Sequence, residues 1–541
     1  MPHWAAIATL LTTVVWSGCS GVREYVQSGF KVGPNYGRPP APVAEHWIDN
    51  VDVRTSPGED LSRWWQVFND ATLERLVISA YRQNLSVREA GFRVLEAKAQ
   101  RGIAVGELLP QQQDAFGSYR RQSVTKTSSG AHAGNQFSDQ WSTGFSLAWE
   151  LDFWGRFRRA VAAADAQLDA SVEAYDDVLV TLLSDVASNY VHVRTLQERI
   201  GLLEFNAAVE RLVLDWTIRR WKGGRSLPLD VHQIESTMER TEAQIPELEI
   251  QLRQAENRLC ILLGMPPVDL RNALGRDHIP SAPADVVFGI PAELLRRRPD
   301  VRRAERLAAA QAELIGIAQA DLYPALSING TLGYQSENLS SLFSPKSLNG
   351  NVGPSFQWNI LNYGRIINNV RLQDARFQEL VTAYQKTVLQ AGEESENGLV
   401  MFLRARHRAE HLDRSAKAAR AAVVDMFDVF QKGRAGFDFN RFALIEQNRV
   451  QQDDLLAQSR GEIAQGLIQV YRALGGGWQI RFEAWSPTPL QPAAAPSIPP
   501  VGAEELQKLR RLLEPEGLLP PEAPAPPETP APPQALLPRP R

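Results

Sequence analysis

The residues that could carry covalent or metal chemistry are few and far apart. Ser123 to Lys126 spell Ser-x-x-Lys, the spacing at which a lysine amine activates a serine hydroxyl for acyl transfer. That motif stands alone, in a stretch rich in Ser, Thr, Gly and Asn (123–138) that reads as a surface loop. The eight histidines are scattered, no Gly-rich loop is spaced to cradle a phosphate, and no Cys/His cluster has metal-ligand spacing. Of the two cysteines, Cys260 in NRLCILLG reads as a small buried helix residue. With no second exported cysteine to pair with, no disulfide is expected. A net charge of −4, from 58 basic and 62 acidic residues, leaves no basic footprint for nucleic acid. No catalysis, cofactor, metal or nucleic-acid partner is expected.

Cys19 has a different context. It ends an uncharged apolar run, residues 4–18, that is too short for a transmembrane helix and reads as an export signal. The closing WSGC resembles a bacterial lipoprotein cleavage site, with Trp16 where such sites usually carry Leu and His3 as the only candidate positive charge ahead of the run. Lipid attachment at Cys19 is therefore expected, ordinary signal cleavage or a misassigned start being the alternatives. By the same resemblance, Ser20 in place of Asp favours sorting to the outer membrane.

Two stretches organise the rest. In WSTGFSLAWELDFWGR (141–156), Trp141, Thr143, Phe145, Leu147, Trp149 and Leu151 alternate with Ser142, Gly144, Ser146, Ala148 and Glu150, which predicts a strand with one bulky and one small or polar face. After Trp154, Gly155 and Arg156 the period becomes helical. GNVGPSFQWNILNYGR (350–365) repeats the arrangement, with Val352, Pro354, Phe356, Trp358 and Ile360 on one face, then Tyr363, Gly364 and Arg365. Trp358 follows Trp149, and Gly364 follows Gly155, at an offset of 209.

The chain thus reads as a duplication. Residues 1–18 form the signal peptide and 19–70 a lipid-anchored arm, whose VGPNYGRPP can be neither regular helix nor inner strand and must lie extended over something. The first repeat, 71–264, starts with a helix broken at Asn84 and stopped by Pro110, then a weak strand at 115–121, the loop and the Trp149 strand. A helix follows over 157–221, roughly 65 residues and close to 100 Å long, then a break at Lys222, Gly223 and Gly224 and a return helix to Leu263. Val172, Leu179, Val186, Val193 and Ile200 recur every seven residues, and Leu168, Tyr175, Leu182 and Leu196 form a second series with Asn189 as the exception. This is coiled-coil spacing. A connection, 265–290, precedes the second repeat, 291–478: a helix from Pro299 to about Leu322, strands at 325–334 and around Trp358, a helix from Arg365 to about Gln431, a break at Lys432 to Gly436, and a return helix to Leu474. In the segment 479–541, residues 487–541 hold 17 of the 35 prolines and should be disordered, apart from a short helix at 503–513.

Apolar on one face and small-polar on the other over about ten residues is the pattern of a transmembrane barrel strand with an aqueous lumen. A soluble sheet with one wet face shows the same alternation. Four strands cannot close a barrel, so either the sheet is open and soluble or several protomers share one barrel.

The lipobox-like Cys19, the VGPNYGRPP arm, WELDFWGR with WNILNYGR, LLRRRPDV (294–301) and QADLYPALS (319–327) together resemble the outer membrane efflux duct family, the TolC and OprM proteins, over residues 15–480. The resemblance implies a mainly α fold with a membrane β-barrel. In it, duplicated strand–helix-hairpin units from a homotrimer build one twelve-stranded β-barrel continuous with an α-helical barrel. It also implies a passive exit duct for drugs and toxic compounds, set in outer membrane lipid, with a periplasmic membrane-fusion adaptor and an inner membrane pump of the resistance-nodulation-division type as partners. Lys222, Gly223, Gly224 and Arg225, with Lys432, Gly433, Arg434 and Gly436, match the family's adaptor-contact tips, the second tip being one residue longer than usual. Glu446 and Arg449 match positions near the closed periplasmic mouth, Glu235 being the equivalent of Glu446 in the first repeat. The alternative for Glu446 is a solvated helix-face charge. Trp149, Trp154, Gly155 and Arg156, with Trp358, Tyr363, Gly364 and Arg365, match the barrel-to-helix transitions. A type I protein secretion duct and a lipid-anchored periplasmic coiled-coil rod are the other readings. Bilayer conductance separates duct from rod.

Overall fold

Asp70 and Asn84 each offer a side-chain oxygen to two backbone amides, and each therefore starts a helix. Asp70 accepts from Thr72 and Leu73, and Asn84 from Ser86 and Val87, at 2.8–3.1 Å. These caps set α1 (Ala71–Gln83) and α2 (Leu85–Gly106) in the computed structural model. It describes residues 25–44, 46–48, 54–55, 61–124, 136–283, 287–288, 296–431, 439–482 and 507. Cys19, the signal run, the second tip at 432–438 and the Pro-rich segment other than residue 507 lie outside them.

Arg54–Thr55 (β1) pairs in parallel with Val287–Phe288 (β4). The other strands, β2 (Gln112–Val124), β3 (Gln136–Leu151), β5 (Ala325–Ser336) and β6 (Leu348–Gln357), form one antiparallel sheet in the order β2-β3-β5-β6. Between and after them run α3 (Arg156–Lys222), α4 (Pro228–Leu262), α5 (Arg271–Leu274), α6 (Pro299–Ala320), α7 (Arg365–Gln431) and α8 (Phe439–Ala473). The long helices span 67 residues each and the return helices 35 each.

Three expectations are corrected. β2 is longer than 115–121, because it pairs with β3 residue for residue from Gln112 to Val124. Ser123 of the Ser-x-x-Lys motif therefore stands in a strand, opposite Phe137. β6 ends at Gln357, so Trp358 and Ile360 are not strand residues. Ile360 N–H turns back to the Trp358 carbonyl at 3.1 Å, Gly364 N–H donates to the Asn362 side chain at 3.1 Å, and Tyr363 has φ 51°. Local amide-to-carbonyl closure here competes with the ladder.

The chain divides into two units. The first comprises the described parts of Met1–Thr195, Leu252–Leu412 and Ala457–Pro496, and the second those of Leu196–Gln251 and Asp413–Leu456, with residue 507. In the first unit the return helices end in the same way. Gly264, at φ 72°, lies so close to the Gln83 carbonyl that no Cβ would fit, and Asn84 donates to the Leu262 carbonyl at 2.9 Å. In the second repeat Gly475 meets the Cα of Arg298, whose guanidinium donates to the Ala473 carbonyl at 2.7 Å. The RRRPDV motif is thereby a cap on α8. Of the heptad series Leu179, Val186, Val193 and Ile200 are buried, and Asn189 gives its amide to the Ala255 carbonyl at 2.7 Å. Cys260 is buried, as expected.

The arm lies extended along the first unit. Arg159 of α3 has no exposed side-chain surface and holds the Val32 and Gly33 carbonyls at 2.5 and 2.6 Å and Glu313 at 2.6 Å. Gly316 of α6 leaves room for that side chain. Further along, Arg38 pairs with Glu305 at 3.0 Å, and Ala41 and Val43 pack on Val301, Tyr384 and Val388. Removing the cation would leave Glu313 and two carbonyls unmet. Arg159→Ala should destabilise this unit by about 3 kcal/mol or more and release the arm, which limited proteolysis reads as new cleavage within residues 25–44.

Candidate functional site

The cross-strand register sorts the sheet into two faces. Trp141, Phe145, Leu147 and Trp149 line up with Leu326, Ile328, Leu332 and Tyr334, and these with Leu348, Val352 and Phe356. The opposite face is polar or small apart from Phe116, which stands across from Gly144, and it bonds within itself: Ser118 to Ser142 at 2.8 Å, Asn329 to Ser355 at 2.7 Å, Thr331 to Asn351 at 2.8 Å. Gly144 and Gly333 stand opposite each other there, and a Cβ on either would collide with the other strand's backbone. Aromatic rings mark both ends of the apolar face. Tyr119 packs on Trp141 at 4.3 Å at one end; at the other lie Trp149, Trp154 and Trp358. Trp141 to Trp149 is roughly 26 Å of strand, which suits the apolar band of about 25 Å that a membrane barrel presents between its aromatic girdles. Among the described residues no helix is long and apolar enough to cross a membrane.

Where the sheet ends, indole N–H groups take up carbonyls of the turns that lead from α2 into β2 and from α6 into β5. Trp149 donates to Leu108 at 3.3 Å, Trp154 to Pro324 at 2.8 Å and Trp358 to Leu322 at 3.0 Å. Asp152 accepts from the Phe157 and Arg158 amides at 2.9 and 3.0 Å and so caps α3. Gly155 takes φ 79° directly under Lys31, leaving no room for a Cβ, and Arg156 lies 3.5 Å from Glu150 and 3.8 Å from Asp321. The arm seals this junction. Tyr25 donates to the Phe153 carbonyl at 2.6 Å, its ring 6.0 Å from that of Trp154, and Val32 N–H donates to the Trp154 carbonyl at 3.0 Å. At the second junction Gly364 also has positive φ, at 80°, with only Asn368 near, and Trp358, Ile360, Leu361 and Tyr363 are exposed. Arg365 donates to the Asn362 carbonyl at 3.3 Å. The two junctions share residue types and differ in cover.

In the second unit, α3 ends at the first tip. Gly223 and Gly224 accept the turn, the latter at φ 70°, and Arg225 N–H closes on the Arg220 carbonyl at 2.8 Å. Lys222 and Arg225 stand exposed beside Trp221 and Leu227, which are also exposed. Val213, Ile234, Met426, Phe442 and Ala443 form the apolar core of this unit.

Next to that core sits a buried charge cluster. Glu446 is 2% and Arg449 7% exposed, so Glu446 is no solvated helix-face charge. Arg449 grips Glu446 with two nitrogens and reaches Asp453 at 3.1 Å and Asn206 at 2.7 Å. Arg420 closes on Asp453 at 2.9 Å. Burial raises the Asp453 pKa, against the pull of Arg420 and Arg449. It also pushes Glu210 up to about 7, with the Thr241 hydroxyl opposing and the Glu446 charge adding. Glu235 is not part of this group: it is exposed, 3.5 Å from His232. Asn206, Glu210, Arg420 and Asp453 were not picked out from sequence. Arg449 and Asp453 share a helix face at i,i+4 spacing, which was the available signal. Among the described residues no group of three or more His, Cys, Asp or Glu is placed to hold a metal ion.

The chain matches the family model for outer membrane efflux proteins over residues 76–265 and 290–476. Nodulation protein T of Rhizobium leguminosarum bv. viciae is 30% identical over 437 residues, 77% of this chain and 86% of that protein. The pyoverdine export outer membrane protein OpmQ of Pseudomonas putida is 31% identical over 427 residues, 77% of this chain and 88% of that protein. In structure the outer-membrane channel OprN is similar, with a TM-score of 0.78 at 29% identity, over 83% of this chain and 99% of the other. The matched segments take in the two sheet-and-hairpin repeats described above, and the chain belongs to the outer membrane efflux protein family of bacterial outer membrane channels.

Proposed function

We propose that three copies of this outer membrane efflux protein join their sheets into one twelve-stranded barrel. That barrel is the exit of a passive duct for small molecules, drugs and toxic compounds among them. The observation that carries the reading is the sheet itself: four strands with an apolar and a polar face, ending in edges at β2 and β6. Two exposed edges of this length pair with something, and joining β6 of one copy to β2 of the next satisfies both. The chain has no catalytic part in this reading; energy comes from an inner membrane pump of the resistance-nodulation-division type, through a periplasmic membrane-fusion adaptor. Lys222, Gly223, Gly224 and Arg225, together with Lys432, Gly433, Arg434 and Gly436, receive the adaptor. Cys19 carries the lipid. The position of Tyr25 supports this, since six residues reach at most about 20 Å from the first junction, where the aromatic ring of the sheet ends.

Glu446 and Arg449 act as the gate latch in this reading, because their mutual neutralisation holds α8 against the first hairpin within the tip unit. Arg449→Ala leaves Glu446 and Asp453 buried without their cation, at a cost of about 3 kcal/mol or more, and single-channel conductance should rise. Unchanged conductance would remove Arg449 from the gate.

Glu210 gives the same region a pH dependence. Its folded-state pKa is raised from 4.5 to about 7, so its contribution to stability is complete below about pH 4.5 and lost as pH rises through 7. Protease resistance of the tip should fall over that window, and Glu210→Gln should level it. The duct itself is tested in detergent extracts of outer membranes: a heat-modifiable trimer that conducts in planar bilayers is expected, while a salt-released monomer without conductance overturns it.

A further inference from the structure

Charge on the polar face of the sheet is sparse and unevenly placed. Among the residues whose side chains are described, that face carries Asp114, Arg120 and Glu150 as its only charged groups. The two acids lie toward the helical end and are engaged: Asp114 accepts from Gln112 at 2.6 Å, and Glu150 sits 3.5 Å from Arg156. Arg120 lies toward the other end, exposed, directly opposite Gln140 and one residue from the Tyr119–Trp141 pair. The nearby acid, Asp139, belongs to the other face, where it accepts from Tyr119 at 2.9 Å and lies 3.7 Å from Arg121. Arg121 also stands 5.0 Å over the Phe137 ring. Among the described residues, Arg121 is thus partnered on the apolar face, while its neighbour Arg120 is exposed on the polar face with no acid beside it. Asp114 is roughly 20 Å of strand away from Arg120, more than two screening lengths of about 8 Å at physiological salt. Its charge does not cancel that of Arg120.

We propose that Arg120 from three copies forms a cationic ring at the outer mouth of the duct, which binds small polyanions and favours anions over cations. This rests on the trimeric duct proposed above. Rings of arginine or lysine are a known source of anion preference in pores, and lumen-facing substitutions tune selectivity in membrane barrels.

The test uses the full-length protein extracted from outer membranes and reconstituted in planar bilayers under a potassium chloride gradient. Hexacyanoferrate is added to either side as the polyanion probe. Wild type should prefer chloride and be blocked from the outer side. Arg120→Gln should lower the chloride-to-potassium permeability ratio and weaken the outer block by about tenfold or more. Arg120→Lys should keep both, and so should Arg121→Gln, which alters the same strand on its other face. An unchanged ratio and block in Arg120→Gln overturns the ring. So does a wild type that hexacyanoferrate leaves open from outside, a result that holds even if Arg120→Gln does not assemble. If wild type forms no channels at all, the trimeric duct fails first, and the ring falls with it.

Discussion

A backbone that changes from strand to helix must find new partners for its amides and carbonyls where the ladder stops, and the rest of this fold depends on how that is done after β3. Asp152 takes two amides of the coming helix, Trp154 supplies a donor to Pro324, and Gly155 accepts a φ of 79°. These residues set the phase at which α3 begins. Since α3 runs for 67 residues without interruption, the phase at its first turn decides which side chains face inward along its whole length. Leu179, Val186 and Val193 are buried because Asp152 and Gly155 start the helix where they do. An error of one residue there would rotate every later contact by about 100°.

The duplication shows which devices a strand–helix hairpin needs and which are added once. Both repeats place a glycine at the end of the return helix, against the backbone that starts the repeat. Both use indole donors at the sheet's end. The arm exists once, and among the described residues it covers the first junction and not the second, so Gly155 is pressed under Lys31 while Gly364 has open surroundings. The buried charges are likewise unequal. Glu446 is enclosed by Arg449 and Asn206, whereas Glu235, as far into α4 as Glu446 is into α8, faces water.

Much of this was legible beforehand, for physical reasons that are local. Period two and period 3.6 place strands and helices, Asn84 breaks a helix because its own side chain caps the next one, and Gly155 and Gly364 announce backbone that turns. Strand ends were less legible: β2 extends beyond its apolar core because β3 continues opposite it, and β6 stops early because Asn362 and Tyr363 bend the chain. The charge cluster was hardest to read. Arg449 meets Asn206 across a sequence separation of 243 residues, and neither residue type nor spacing says that a surface-like Glu-x-x-Arg pair will be shut away from water. The arm's course belongs to the same class, since Arg159 reads as an ordinary helix arginine until Val32, Gly33 and Glu313 are brought to it.

The helices are matched in length, 67 with 67 and 35 with 35. One residue added to a single long helix would advance its end by about 1.5 Å and swing it through about 100°, so the two cannot drift in length independently. Changes that survive are whole heptads made in both copies, each worth about 10.5 Å. The repeat therefore behaves as a gauge with coarse graduations, its helices changing length only in steps. Side chains on the exposed faces carry no such constraint, while helix length moves only by those steps.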